Sequence, residues 1–136
     1  SANNILRRLR QRSPAGFAIA LHVEFTTPKY LFQAYNKDWL NHYSSKGLVM
    51  HDPTVRWGFD NTGAIRWSDL AADDPMAVLT QAAQYGLRYG LTVAVNAAHS
   101  RSISSFARSD REMSDLDIAA ISADAADLHK VTGDPG

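Results

Sequence analysis

From Phe17 to Phe25 the side chains alternate: Phe17, Ile19, Leu21, Val23 and Phe25 are large and apolar, while Ala18, Ala20, His22 and Glu24 between them are small or polar. A period of two sends successive side chains to opposite faces of an extended chain, so this segment reads as a strand with one strongly apolar face. Thr26-Thr27-Pro28 reads as a turn and Lys29 to Tyr35 as a second strand, together a hairpin. Leu91 to Ala97 and Arg101 to Ala107 make a second strand pair around Asn96 to Ser100. Helical patterns surround the hairpins. Asn4 to Arg12 is broken by Ser13-Pro14, and Asp38 to Lys46 is ended by Gly47. Asp74-Pro75 starts a helix carrying Met76, Leu79, Ala83 and Leu87, with a stop at Gly90. Ser109-Asp110-Arg111-Glu112 reads as a capping box before a final helix that buries Ile118, Ile121, Ala125 and Leu128. Asp52 to Trp67 reads as loop and short strand, turning at Asp60-Asn61-Thr62-Gly63. Two hairpins separated by helices predict one α+β domain over residues 1–136, an antiparallel sheet with helices layered on its faces.

Composition narrows the function. The chain has 136 residues, enough for one domain with a buried core. Lys+Arg and Asp+Glu both number 14, so the basic excess of a nucleic-acid-binding surface is absent, and any DNA contact would come from another part of a longer protein. Cysteine is absent, which excludes disulfides and thiolate metal sites and fits a cytoplasmic protein. No apolar run approaches the ~20 residues of a membrane helix, and no signal-peptide core follows the basic N-terminus. The ends, Ser1-Ala2 and Gly133 to Gly136, read as cut points.

The chemistry concentrates between Tyr35 and Trp67. Trp39 and Trp67 each offer an apolar face with an N–H donor, Tyr43 follows Trp39 by one helical turn, and Asp52 stands before Pro53-Thr54. Aromatic walls with a few convergent polar groups suit a small, mostly apolar ligand with a polar head. Each also has a plainer reading: Asp52 as a turn or cap residue, and Trp39, Tyr43, Trp57 and Trp67 as core. No catalytic set assembles. His51-Asp52 would need further metal ligands, and His22, His42, His99 and His129 show no ligand spacing. The serines at 100, 102, 104 and 105 form no nucleophile elbow, and Ser102 and Ser104 read as the solvated face of a strand. Gly86 and Gly90 read as a C-cap and a close-packing position rather than a phosphate loop.

The segments YNKDWLNHY, DPTV, Trp67, YGLRYGLTVAV and ISSFA resemble the autoinducer-binding domain of LuxR-type quorum-sensing regulators. The specific part is the joint spacing: Tyr43 four residues after Trp39, Asp52 nine after that, Trp67 fifteen further, then Gly90. The resemblance implies a five-stranded antiparallel sheet with helices on both faces, GAF/PAS-like, binding an N-acyl-homoserine lactone between sheet and helices. It implies that Trp39 donates to the lactone carbonyl, Asp52 accepts the ligand amide N–H and Tyr35 donates to the acyl carbonyl. Tyr43 and Trp67 would wall the head group. The acyl chain would lie against Leu21, Val23 and Phe25 with Leu31, Val55, Ala82 and Ile103, and Thr54 and Ser105 would add polar contacts. It further implies no cofactor and DNA binding through a helix-turn-helix domain that lies outside this chain, while the small residues Ala119, Ala120, Ala123 and Ala126 beside the final helix's apolar stripe predict a homodimer formed through that helix. Asn36, Ala94 and Ala107 depart from the family pattern, and the last puts a hydroxyl contact in doubt or moves it to Ser105. The competing readings are a GAF/PAS-like sensor or dimerisation module of a signalling enzyme, a stand-alone truncated antagonist, and a metal hydrolase using His51 and Asp52.

Overall fold

The computed structural model describes residues 1–134. Helix α1 (Ala2–Arg12) leads into the hairpin β1 (Gly16–Glu24) and β2 (Thr27–Gln33). Helices α2 (Lys37–Ser45) and α3 (Pro53–Asp60) follow, then β3 (Gly63–Arg66) and α4 (Val78–Gln84). The second hairpin, β4 (Tyr89–Ala97) and β5 (Ser100–Arg108), precedes α5 (Asp115–Val131). Short 3-10 turns occupy Leu48–His51 and Trp67–Asp73. The five strands form one antiparallel sheet in the order β2-β1-β5-β4-β3, with helices on both faces, as the hairpin pattern predicts.

The two faces of the sheet differ in what they carry. Phe17, Ile19 and Leu21 of β1, Leu91 and Val93 of β4 and Phe106 of β5 point to α1 and α5, where they meet Ile5, Leu9, Ile121, Ala125 and Leu128. This is the main core, and each large aliphatic side chain fully buried there contributes ~1.5–3 kcal/mol. Ion pairs tie its two helices together: Arg8 reaches Asp124 at 2.9 Å and Arg12 reaches Asp117 at 3.2 Å. The opposite face carries mostly small residues. Ala18 stands beside Ser105, Ala20 beside Ile103, and Gly90 beside Ala107, with Thr92 and Ala94 on the same side. Helices α2, α3 and α4 cover that face, with Trp39, Trp67, Val78 and Ala82 in its buried cluster.

Several local expectations are corrected. Pro53 to Asp60 is a helix, not a loop; Asp52 caps it and Pro53 takes its first turn, the same cap-then-proline signature read at Asp74-Pro75. Asp74 does cap α4, its carboxylate accepting from the Val78 and Leu79 N–H groups at 2.9 and 2.8 Å, but the helix begins only at Val78 because Ala77 is left-handed at φ 53. The capping box of the final helix is Ser114 with Asp117, not Ser109 with Glu112. Burial would raise the Asp117 carboxyl, but the Arg111 guanidinium and the Ser114 donors outweigh it and hold the group well below the usual carboxylate range.

Strand β1 breaks its own alternation. The register shifts between Ala20 and Val23, and His22 sits at φ 54, a bulge that leaves Leu21 in the α1/α5 core and brings His22 to α5 as well. Val23 then returns opposite Arg101, whose guanidinium donates to the Gly58 carbonyl of α3 at 2.8 Å. Phe25 lies in the hairpin turn and is 94% exposed, so it belongs to neither face. Ser102 and Ser104, expected to be solvated, are buried on the α5 side.

Candidate functional site

The site is built on the small-residue face, and Trp39 is its first wall. Asn36 caps α2 by accepting the Trp39 backbone N–H at 2.7 Å, which sets the helix start and therefore the face Trp39 presents. Its indole is buried among Tyr43 and Tyr85, with both ring centroids 5.5 Å away. The indole N–H makes no hydrogen bond among the described residues and its nitrogen is not among the fully enclosed polar atoms, which leaves a directional donor open at the edge of a buried ring.

Asp52 supplies the complementary acceptor. One carboxylate oxygen accepts the Thr54 backbone N–H at 2.9 Å and the Thr54 hydroxyl at 2.7 Å. The other accepts the Tyr43 hydroxyl at 2.7 Å. The carboxylate has about four acceptor positions, so three donors leave one unfilled. Asp52 is thus the cap residue of the plainer reading, buried and holding the start of α3, and it also keeps acceptor capacity on the side of Tyr43. Burial first, and the Asp52 charge second, push the Tyr43 and Tyr35 phenols far up, so both stay protonated donors at ordinary pH.

Trp67 closes the other side. Its indole N–H donates to Thr92 Oγ1 at 3.0 Å, and Thr92 Oγ1 stands 2.7 Å from Ser105 Oγ. A Cβ on Gly90 would fall 1.9 Å from Trp67 Cδ2, so only glycine lets the indole lie against β4. The Tyr35 hydroxyl donates to the Ser105 carbonyl at 3.3 Å, placing the phenol beside β5. Farther along, Ile103 contacts α3: a Cβ on Gly58 would meet Ile103 Cγ2 at 2.5 Å.

The structure therefore brings Tyr35, Trp39, Tyr43, Asp52, Thr54, Trp67 and Ser105 to one face, with Ala82 and Ile103 beside them, while Val55 lies on α3 but in neither buried cluster. Val23 joins them through the β1 bulge. Leu31 shares their side of the sheet opposite Ala20, at the open β2 edge and 53% exposed. Leu21 does not join them; it is enclosed in the α1/α5 core, because the bulky side of β1 is consumed by helix packing. Trp57 belongs to neither buried cluster. Thr92 was missed, although it is the lone hydroxyl in the apolar run Leu91 to Val95. Among the described residues no three His, Asp or Glu side chains are grouped to hold a metal, so His51 and Asp52 gain no third ligand.

Comparison with known proteins bears on the family and the fold. A family model described as the autoinducer binding domain matches residues 10–132. The transcriptional activator protein SolR of Ralstonia nicotianae is 30% identical over 69 residues, 51% of this chain and 29% of SolR. The match thus spans less than a third of that relative. SdiA in complex with octanoyl-rac-glycerol has the same fold at TM-score 0.69 and 18% identity, over 96% of this chain and 60% of that one. CepR2 of Burkholderia cenocepacia, an N-acylhomoserine lactone dependent LuxR family transcription factor, superposes at TM-score 0.63 and 18% identity, over 95% and 89% of the two chains. Because that family model spans residues 10–132, the chain belongs to the autoinducer-binding domain family of LuxR-type regulators.

Proposed function

We propose that this domain is a receptor for an N-acyl-homoserine lactone or a similar small amphiphile, and that it performs no catalysis. The observation that carries the reading is the pairing, around Tyr43, of an open donor at Trp39 with a part-filled acceptor at Asp52. An amide N–H flanked by a lactone carbonyl offers the matching acceptor and donor. In this arrangement Trp39 donates to the lactone carbonyl, Asp52 accepts the ligand amide, Tyr35 and Ser105 serve the acyl carbonyl, and Tyr43 and Trp67 wall the head. Thr54 supports the site chiefly by orienting Asp52, since its hydroxyl already donates there. The acyl chain runs over Ala18 and Ala20 toward Val23, Leu31, Val55, Ala82 and Ile103. The small side chains of this face, Ala18, Ala20 and Ala94, are those a chain of methylenes would lie against. The relatives support the ligand class: one was solved with an acyl glycerol and another is described as acylhomoserine lactone dependent.

The parent protein is proposed to be a cytoplasmic transcriptional regulator that contacts DNA through a separate domain. The outward side of α5 serves a homodimer, with Leu116 81% exposed beside Ala119, Ala123 and Ala126. Sedimentation with ligand present tests that assignment, and a concentration-independent monomer rejects it. No helix among the described residues is long and apolar enough to cross a membrane. A thermal melt against a series of lactones from butanoyl to dodecanoyl tests the receptor reading. Ligand at a hundredfold excess over its Kd adds ~2.7 kcal/mol to the folded state, and a melt that no lactone moves counts against it.

A further inference from the structure

Thr92 lies at the centre of β4 and is 0% exposed. Its Oγ1 accepts the Trp67 indole proton at 3.0 Å and stands 2.7 Å from Ser105 Oγ, its register neighbour on β5. A hydroxyl carries one proton and two lone pairs. The indole is a donor only, so one lone pair of Thr92 is committed to Trp67. The remaining question is which hydroxyl gives its proton to the other. If Ser105 donated, the Thr92 proton would be stranded, because Thr92 Oγ1 has no other acceptor among the described residues. If Thr92 donates, the protons of both Trp67 and Thr92 are used, and the free proton belongs to Ser105, which is only partly buried. Stranding a proton at a fully buried site is the costlier arrangement.

We propose that Thr92 is a positioning residue: it receives the Trp67 proton, passes its own to Ser105, and so fixes Ser105 as a hydrogen-bond donor into the site. Ser105 then holds its proton toward the ligand, and this favours a ligand that places an acceptor, such as a carbonyl oxygen, there over one that has none. Selectivity at this point resides in a residue that touches no ligand. Gly90 supports the relay from behind, since any side chain there would drive Trp67 off β4 and break the first link. This inference rests on the receptor reading above and adds to it the polarity of one contact.

Calorimetric titration with octanoyl-homoserine lactone tests it on the wild type, Thr92→Val, Thr92→Ser, Ser105→Ala and the Thr92→Val/Ser105→Ala pair. Thr92→Val keeps the shape but lets the Ser105 proton turn away, so affinity should fall about three- to tenfold, the scale of one hydrogen bond. Thr92→Ser should restore it. The loss should vanish when Ser105 is already alanine, because the two residues act as one unit. Should Thr92→Val fail to fold, Thr92→Ala gives the same test, since it too removes the proton given to Ser105, and its loss should likewise disappear in Ser105→Ala. Wild-type affinity in Thr92→Val, or losses that simply multiply in the double variants, overturn the relay alone. A wild-type domain that takes up no lactone overturns both the relay and the receptor reading.

Discussion

The Tyr43 hydroxyl donates to the Asp52 carboxylate across 2.7 Å, joining α2 to the first turn of α3. The same tyrosine ring stands 5.5 Å from Trp39, so one side chain aligns the open donor of the site with its acceptor. This dual engagement makes Asp52 both a helix cap and a ligand group, and the two roles separate by substitution.

Asp52→Ala removes both. Loss of the cap should cost ~1 kcal/mol of stability, and loss of the ligand contact about tenfold to a hundredfold in affinity. Asp52→Asn keeps a capping oxygen for the Thr54 N–H but turns an amide N–H₂ toward Tyr43 and the ligand. Melting should therefore stay near wild type while affinity falls at least tenfold. Equal affinity for the two proteins in calorimetric titration would reduce Asp52 to a cap.

Trp39→Phe keeps an aromatic wall and deletes the open N–H. The smaller ring leaves a cavity in the buried cluster and should lower the melting point modestly, while loss of the donor should weaken lactone binding about tenfold per folded molecule. A variant that melts much earlier yet binds normally would make Trp39 core alone.

The two faces of β1 should respond oppositely. Leu21→Ala opens a cavity in the α1/α5 core and should cost ~2–5 kcal/mol in denaturant unfolding, with ligand affinity per folded molecule preserved. Ala20→Leu projects bulk into the opposite face, beside Ile103, and should abolish the ligand-induced thermal shift while the protein remains folded. Retained lactone binding in Ala20→Leu would contradict the placement of the ligand on the small-residue face.

Stability should fall on mild acidification. His22 Nδ1 faces Ser100 Oγ at 2.7 Å, and its Nε2 faces the His129 carbonyl at 2.9 Å and Thr132 Oγ1 at 3.1 Å. The His129 ring lies 4.3 Å away, Lys29 adds repulsion, and Asp134 opposes it. Burial, the largest influence, lowers the His22 affinity for a proton below the ordinary value of 6.5. The unfolded chain therefore binds the proton more readily than the folded one. Stability from this site is full above about pH 6.5 and is lost as pH falls below it toward the depressed folded value. Asp117, also depressed, acts in the same direction in a lower window, as pH falls below the carboxylate range. Melts of the wild type and His22→Gln from pH 7.5 to 5.5 should show the steeper decline in the wild type; parallel curves would exclude His22 as the source.

Much of the fold was legible because it rests on local pattern. The period of two in both hairpins, the Trp39/Tyr43 turn and the Ile121/Ala125/Leu128 stripe each depend on spacing alone. The misreadings share a different cause. Leu21 was assigned to the ligand because it is apolar, yet an apolar strand face is what helices bury first, and the ligand side is marked by small residues. The β1 bulge at His22, which returns Val23 to that side, leaves no signature in composition. Helix α3 was missed although Asp52-Pro53 carries a start signal, because the helix is short and Gly58 near its end is a weak helix former. The partners of Thr92 lie 25 and 13 residues away, so only the assembled sheet reveals the relay.

The central claim is that Trp39 holds an open donor awaiting a ligand carbonyl. The chain has 3 tryptophans, so a nitrogen-15 NMR spectrum of the domain resolves three indole N–H signals that single Trp→Phe variants assign. On titration with octanoyl-homoserine lactone the account predicts that the Trp39 indole proton moves downfield and exchanges more slowly. Trp67, already bonded to Thr92, should move less, and Trp57 should stay in place. A Trp39 signal unchanged at saturating lactone, or a response confined to Trp57, would contradict it.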